Sequence, residues 1–106
     1  MSILYESDYP LRKDQPIVNK ELLKKCRNVP CELCGGEWEV AGHHILKKSR
    51  LRLDIPENLV SLCIKCHFEL HNYPKTFKEK HGADKFRELM DWRPIIELYR
   101  EKYCFD

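Results

Sequence analysis

Residues 31–71 read CELCGGEWEVAGHHILKKSRLRLDIPENLVSLCIKCHFELH, and the spacing within this run decides the fold. Reduced to its polar ligands it becomes Cys31-x2-Cys34-x8-His43-His44-x13-Asn58-x4-Cys63-x2-Cys66-His67-x3-His71. Two Cys-x2-Cys pairs frame a histidine pair, and the second cysteine pair runs directly into two further histidines. One candidate site is built from sulfur and closed; the other is built from imidazole and open. Four protein ligands around an ion hold a fold together, whereas an open position admits water or substrate.

Cys31, Cys34, Cys63 and Cys66 form the sulfur set. Two x2 pairs of thiolates suit a tetrahedral structural Zn2+, whose filled d shell imposes no competing geometry. Gly35 and Gly36 follow the first pair, where the backbone of a metal knuckle must fold back on its ligands. Two disulfides, or four buried free thiols, are the competing readings. Met1-Ser2-Ile3-Leu4-Tyr5-Glu6-Ser7-Asp8 lacks the basic start and apolar run of a secretory signal. The expected compartment is therefore cytoplasmic, where zinc is favoured over disulfides. A redox role is disfavoured, because two such pairs framing histidines suit a metal better. Cys26 and Cys104 are left over and read as ordinary thiols.

The nitrogen set depends on secondary structure. A helix over residues 63–72 places His67 and His71 four apart on one face, where they can converge on one ion. A third ligand must come from His43-His44. Glu37-Trp38-Glu39-Val40-Ala41 alternates as a strand does, and neighbouring strand residues point to opposite sides. One histidine of the pair can then bind metal while the other stays free. A free neutral histidine beside an open metal position can serve as a general base. Blander readings exist for each residue. The pair could be polar residues at a strand end, His67 a substitute ligand of the sulfur cluster, and His71 a bystander. Asn58 in Pro56-Glu57-Asn58 could be an ordinary turn residue, and His81 beside Gly82 reads as a helix-end residue.

Taken in order, Gly42-His43-His44-Ile45, Asn58-Leu59-Val60-Ser61-Leu62-Cys63, Cys66-His67 and His71 resemble the HNH endonucleases, the ββα-metal or His-Me finger nucleases. The resemblance covers residues 31–71, and its His-His start and His67-x3-His71 finish are most similar to the colicin-type DNases. It implies a small α+β fold, a ββα-metal motif stapled by a four-cysteine zinc knuckle and flanked by short helices. By the same resemblance His44 is the general base, and Asn58 pins the loop that carries it. His43, at a position that is Asp in many members, binds the catalytic metal with His67 and His71. His44, Asn58 and His67 are thus the expected catalytic residues. Nitrogen ligands move the site away from a pure Mg2+ preference, so Zn2+, Mn2+, Ni2+ and Mg2+ all remain candidates. The implied reaction is hydrolysis of DNA phosphodiesters, leaving a 5′-phosphate and a 3′-hydroxyl.

From Gly42 to Leu53 the sequence has no acidic residue but carries Lys47, Lys48, Arg50 and Arg52, the expected phosphate contacts. Alone, a short basic run is usually a solvated loop. A net charge of +2 argues against a general DNA-coating protein. With 106 residues, 42% of them hydrophobic, the chain fits one small domain that gains from a metal staple. No apolar run long enough to span a membrane and no repeat is present.

Three segments are expected. Residues 1–29 hold an extended arm (1–18, with Tyr5, Tyr9, Pro10 and Pro16) and a helix over residues 20–25 capped by Asn19. Residues 30–74 form the nuclease core. Residues 75–106 are helical and cover it, with a capping box at Thr76-Phe77-Lys78-Glu79, a stop at Gly82, a helix from Asp84 and Pro94 opening the last helix. Two function classes follow: a metal-dependent DNA endonuclease, or a non-catalytic zinc module for nucleic acid or protein. Completeness of the histidine and asparagine set favours the enzyme. A homodimer, or a larger phage or restriction complex, stays open at this level.

Overall fold

Leu59-Val60-Ser61-Leu62-Cys63 is a largely apolar stretch of the motif, and it pairs with the segment that carries both adjacent histidines. A computed structural model of the chain describes residues 14–104; the greater part of the expected arm, with Tyr5, Tyr9 and Pro10, lies outside them. In chain order the elements are α1 (Lys20–Arg27), β1 (Val40–His44), a 3-10 turn (Pro56–Asn58), β2 (Leu59–Cys63), α2 (Ile64–Asn72), α3 (Pro74–His81), α4 (Ala83–Met90) and α5 (Arg93–Lys102). The architecture is small α+β, with an antiparallel β1-β2 sheet pairing His44 with Leu59 at one end and Val40 with Cys63 at the other. No helix of the described residues is long and apolar enough to cross a membrane.

Local sequence accounts for most boundaries. Asn19 caps α1, its side chain accepting from the Leu22 N–H at 3.0 Å. β1 begins at Val40, three residues later than the alternation at Glu37 implies. Glu39 has φ 48°, a left-handed conformation that breaks the pleat before it starts. Cys63 both ends β2 and caps α2, its Sγ accepting from the Cys66 N–H at 3.4 Å. α3 starts at Pro74 and not at a capping box on Thr76. Proline has no N–H to leave unpaired in the first turn and its φ is already helical, so the helix begins there. Gly82, at φ 97°, ends α3 and leads into α4 at Ala83, and Pro94 sits in the first turn of α5.

The hairpin is covered on two sides. Leu46, Leu51, Leu53 and Ile55 from the connection between the strands bury against Ile95, Ile96 and Tyr99 of α5. Val40, Leu62 and the buried cysteines lie against Leu70 of α2, Phe77 of α3 and Leu89 of α4. Residues ahead of α1 lace onto the first core. Ile17 bridges Leu53 in parallel, taking a hydrogen bond from Asp54 N–H and giving one to Arg52 O, both at 2.8 Å. Arg100 of α5 closes on the Asp14 carboxylate with contacts of 3.1 and 2.6 Å.

Asn58 holds the connection in shape. Its side chain is fully buried: Oδ1 accepts from Leu46 N–H at 2.6 Å, and Nδ2 donates to Leu46 O at 3.3 Å and Leu53 O at 2.9 Å. Its own carbonyl accepts from Ile45 N–H at 3.0 Å, immediately after His44. Truncation would leave three buried backbone groups without partners, each worth about 1–3 kcal/mol. Asn58→Ala should therefore destabilise the zinc-loaded protein by at least about 3 kcal/mol in urea unfolding. A loss below about 1 kcal/mol would mean that the connection keeps its shape without this side chain.

Candidate metal centres and active-site cavity

The four sulfurs converge from two knuckles. Cys31 and Cys34 flank a turn in which Gly35 takes φ 76°, and Gly36 N–H donates to Cys34 Sγ at 3.4 Å. Cys63 and Cys66 come from the start of α2. All four Sγ atoms lie within 4.8 Å of one another, and Cys34 and Cys63 are 3.6 Å apart. A tetrahedral ion with bonds of about 2.3 Å requires sulfur–sulfur edges of about 3.8 Å, so the cluster fits zinc. Burial opposes ionisation of Cys31, but neighbouring backbone groups of Cys63, Cys34 and Leu33 outweigh it and bring its thiol down to about 6. Burial, reinforced by the other sulfurs, pushes Cys66 the opposite way. A cation is what would let all four carry charge together.

The second centre is built by His43 of β1 with His67 and His71 of α2. His43 Nδ1 and His71 Nε2 each lie 3.1 Å from His67 Nε2. Lone pairs at that separation repel unless a proton or a cation lies between them. With bonds of about 2.1 Å, nitrogen–nitrogen edges run from about 3.0 Å for right-angle ligands to about 3.4 Å for tetrahedral ones, so the triad fits a divalent ion. His43 is itself oriented. Its Nε2 lies 2.8 Å from the Leu89 carbonyl, which can only accept, so the proton sits on Nε2 and Nδ1 is free to ligate. Leu89 belongs to the last turn of α4, where carbonyls lack intrahelical partners.

His44 faces a different partner. Its Nε2 donates to Asp54 Oδ1 at 2.8 Å, which leaves Nδ1 as the unprotonated nitrogen of the neutral ring. Asp54 is fully buried, and its other oxygen accepts from Arg52 Nε at 3.1 Å and from Asn19 N–H at 2.9 Å. Burial disfavours the charged carboxylate, but Arg52, His44 and the Asn19 N–H together hold it below the ordinary aspartate range. Both adjacent histidines line one cavity of about 280 Å³, with His71, Lys47, Arg50 and Trp92 on its walls. Lys48 lines a neighbouring groove that also reaches His44.

Residues 31–73 match the model of the HNH endonuclease family. Over this stretch the chain is similar to the HNH endonucleases. No curated protein and no solved structure gave a match. The matched residues include the four clustered cysteines, His43, His44, His67, His71 and Asn58, while α1 and α3–α5 lie outside them.

The structure brings His43, His67 and His71 together and sets His44 beside them. Arg52, one of the four expected phosphate contacts, pairs with the buried Asp54 carboxylate at 3.0 Å. Sequence reasoning passed over Asp54, although it is the first carboxylate after the acid-free run that begins at Gly42. Leu89 had no sequence signal at all, because its contribution is a backbone oxygen. His81 is the last residue of α3, its ring tilted against Phe77 at 4.6 Å between centres, and it belongs to neither cluster.

Burial lowers all three triad histidines, His43 to about 4 with the Leu89 hydrogen bond opposing the shift, and His67 and His71 in the same direction. Protons therefore compete with metal less than they do at ordinary imidazoles. Between about pH 7.5 and 6, affinity for a divalent ion should fall by less than the roughly fiftyfold that three ordinary imidazoles would lose. Competition titration of Mn2+ or Ni2+ across this range, with the zinc cluster loaded, checks it. The same shifts make the metal-free triad bind fewer protons folded than unfolded, so it adds stability that is lost as pH falls from 6.5 toward the folded values.

Proposed function

We propose that the protein is a metal-dependent endonuclease that hydrolyses DNA phosphodiester bonds at a ββα-metal site. The observation that carries this reading is the division of labour between adjacent residues. His43 joins His67 and His71, while His44 is held by a buried carboxylate at the edge of the same cavity. A binding module has no use for an imidazole whose tautomer is fixed and whose second nitrogen is left basic.

In the proposed reaction His44 Nδ1 takes a proton from water as the water oxygen forms its bond to phosphorus. The bond from phosphorus to the 3′-oxygen breaks, and the departing oxygen leaves as the 3′-hydroxyl after protonation from solvent. A divalent ion bound by His43, His67 and His71 would supply charge stabilisation at the phosphate and the leaving oxygen. Asp54 is a positioning residue: it keeps the proton on Nε2 and steadies the imidazolium that forms. Lys47 and Arg50 on the cavity wall would draw the phosphate in. Asn58 fixes the backbone that follows His44.

Supercoiled-plasmid cleavage tests the reading, with Mg2+, Mn2+, Ni2+ or Zn2+ added to zinc-loaded protein. Wild type should produce nicked or linear DNA, and His44→Ala should lower the rate by about 10²–10⁴-fold while retaining fold and metal. Asp54→Asn preserves shape but no longer enforces the tautomer, so kcat should drop at least about tenfold with KM little changed. A folded wild type inactive with every metal would point to the zinc-module reading. Loss of the catalytic metal in His44→Ala would reverse the assignment of the two histidines.

A further inference from the structure

The cations of this protein divide into two populations. From Lys80 onward every described lysine and arginine has a carboxylate partner: Lys80 with Glu69, Lys85 with Glu88, Arg87 with Asp84, Arg93 with Asp91, Arg100 with Asp14 and Lys102 with Glu57. On α1 the pattern is reversed. Lys20, Lys24, Lys25 and Arg27 are all exposed, and none has a carboxylate partner among the described residues. Lys20, Lys24 and Arg27 recur at helical spacing and so share one face. The other face, with Leu22, Leu23 and Cys26, is half-buried against the hairpin. The approach is close: a Cβ on Gly42 would lie 3.4 Å from the Cβ of Cys26.

This unpaired helix borders the proposed base. A groove of about 250 Å³ is lined by Leu23 and Arg27 of α1, by Ala41, Gly42 and His44 of β1, and by Lys48 across from them. His44 also lines the metal-side cavity, so the two hollows meet at this residue. A strand that set its scissile phosphate between His44 and the histidine triad would continue past His44 into the groove. No carboxylate lines that groove, and its walls carry two cations. Unpaired cations beside such a path are what a polyphosphate backbone recognises, whereas paired ones have already spent their charge on a neighbour.

We propose that α1 is a second DNA-binding wall, with Lys24 and Arg27 on one side of the groove and Lys48 on the other holding phosphates that flank the scissile one. The inference rests on the nuclease reading for its ligand, but is tested by binding and not by cleavage. In a zinc-loaded His44→Ala background, the affinity for a fluorescein-labelled DNA duplex of roughly 20 base pairs is followed by anisotropy across a salt series. Lys24→Ala/Arg27→Ala should weaken binding and make the slope of log affinity against log salt shallower by about 1.8, or about 0.9 per cation. Lys85→Ala/Arg87→Ala changes net charge equally on α4 and should leave the slope unaltered. Zinc content and circular dichroism establish that both variants are folded. An unchanged slope in the α1 variant overturns the proposal, and so does an equal change in the α4 variant; neither touches the nuclease reading, which plasmid cleavage by wild type decides. A parent protein that does not bind the duplex at low salt overturns both.

Discussion

Adjacent side chains on a strand leave the backbone in opposite directions, and the candidate active site depends on that fact at one dipeptide. On β1, His43 turns inward to the triad and to Leu89, while His44 turns to Asp54. Shifting the register by one residue would exchange the two, giving the ligand role to the histidine whose ring lies against a carboxylate. Register is therefore a chemical constraint here as well as a packing one. Burial of Val40 and Leu62 secures it, and Asn58 secures it at the open end of the hairpin, where the chain leaves β1. The sulfur cluster secures the other end, since Cys63 pairs with Val40 and also belongs to the cluster.

Much of this was legible in the sequence because ligand chemistry forces short, fixed spacings. Two x2 cysteine pairs and an x3 histidine pair on a helix each place their donor atoms through local geometry alone, and the structure clusters them as that geometry requires. Asn58 gained meaning from its distance to His44, and its side chain does clamp the connection between the strands. What escaped was contact between distant segments. The carbonyl of Leu89 meets His43 across 46 positions of chain, and a backbone oxygen has no residue type to betray it. Asp54 was invisible for a different reason. It stands ten positions from His44, and only the folded connection turns that separation into a hydrogen bond. Arg52 was read as a phosphate contact because it stands in an acid-free run, and its pairing with a carboxylate two residues on had no signal there.

Local rules also failed in instructive ways at element ends. The alternating run at Glu37 looked like a strand, but one left-handed residue at Glu39 delayed pairing until Val40. The capping-box pattern at Thr76 lost to Pro74, whose fixed φ starts the helix three residues sooner than a Thr76 cap would. In both cases a stiff backbone preference outweighed a side-chain pattern, the expected ranking when hydrogen bonds to solvent compete with the cap.

The flanking segments are part of the site and not only a cover for it. The matched HNH residues supply the two histidine faces, but the groups that orient each face are anchored from outside. On one side, Asn19 and Ile17 hold Asp54 through its carboxylate and its backbone N–H, and Asp54 holds His44. On the other, α4 presents Leu89 to His43. Arg100 links the two flanks directly by binding Asp14, and Gln15 exchanges hydrogen bonds with Tyr99 of the same helix. A small unit with two candidate metal clusters crowds thiols and buried imidazoles into little volume, which its own core is too slight to hold in place. The flanks resolve this by fixing one tautomer each, so that the triad offers a lone pair and the neighbouring histidine keeps one in reserve. Geometry at both histidines is thus set before any ligand arrives, which is the condition under which charge stabilisation in a transition state costs no rearrangement.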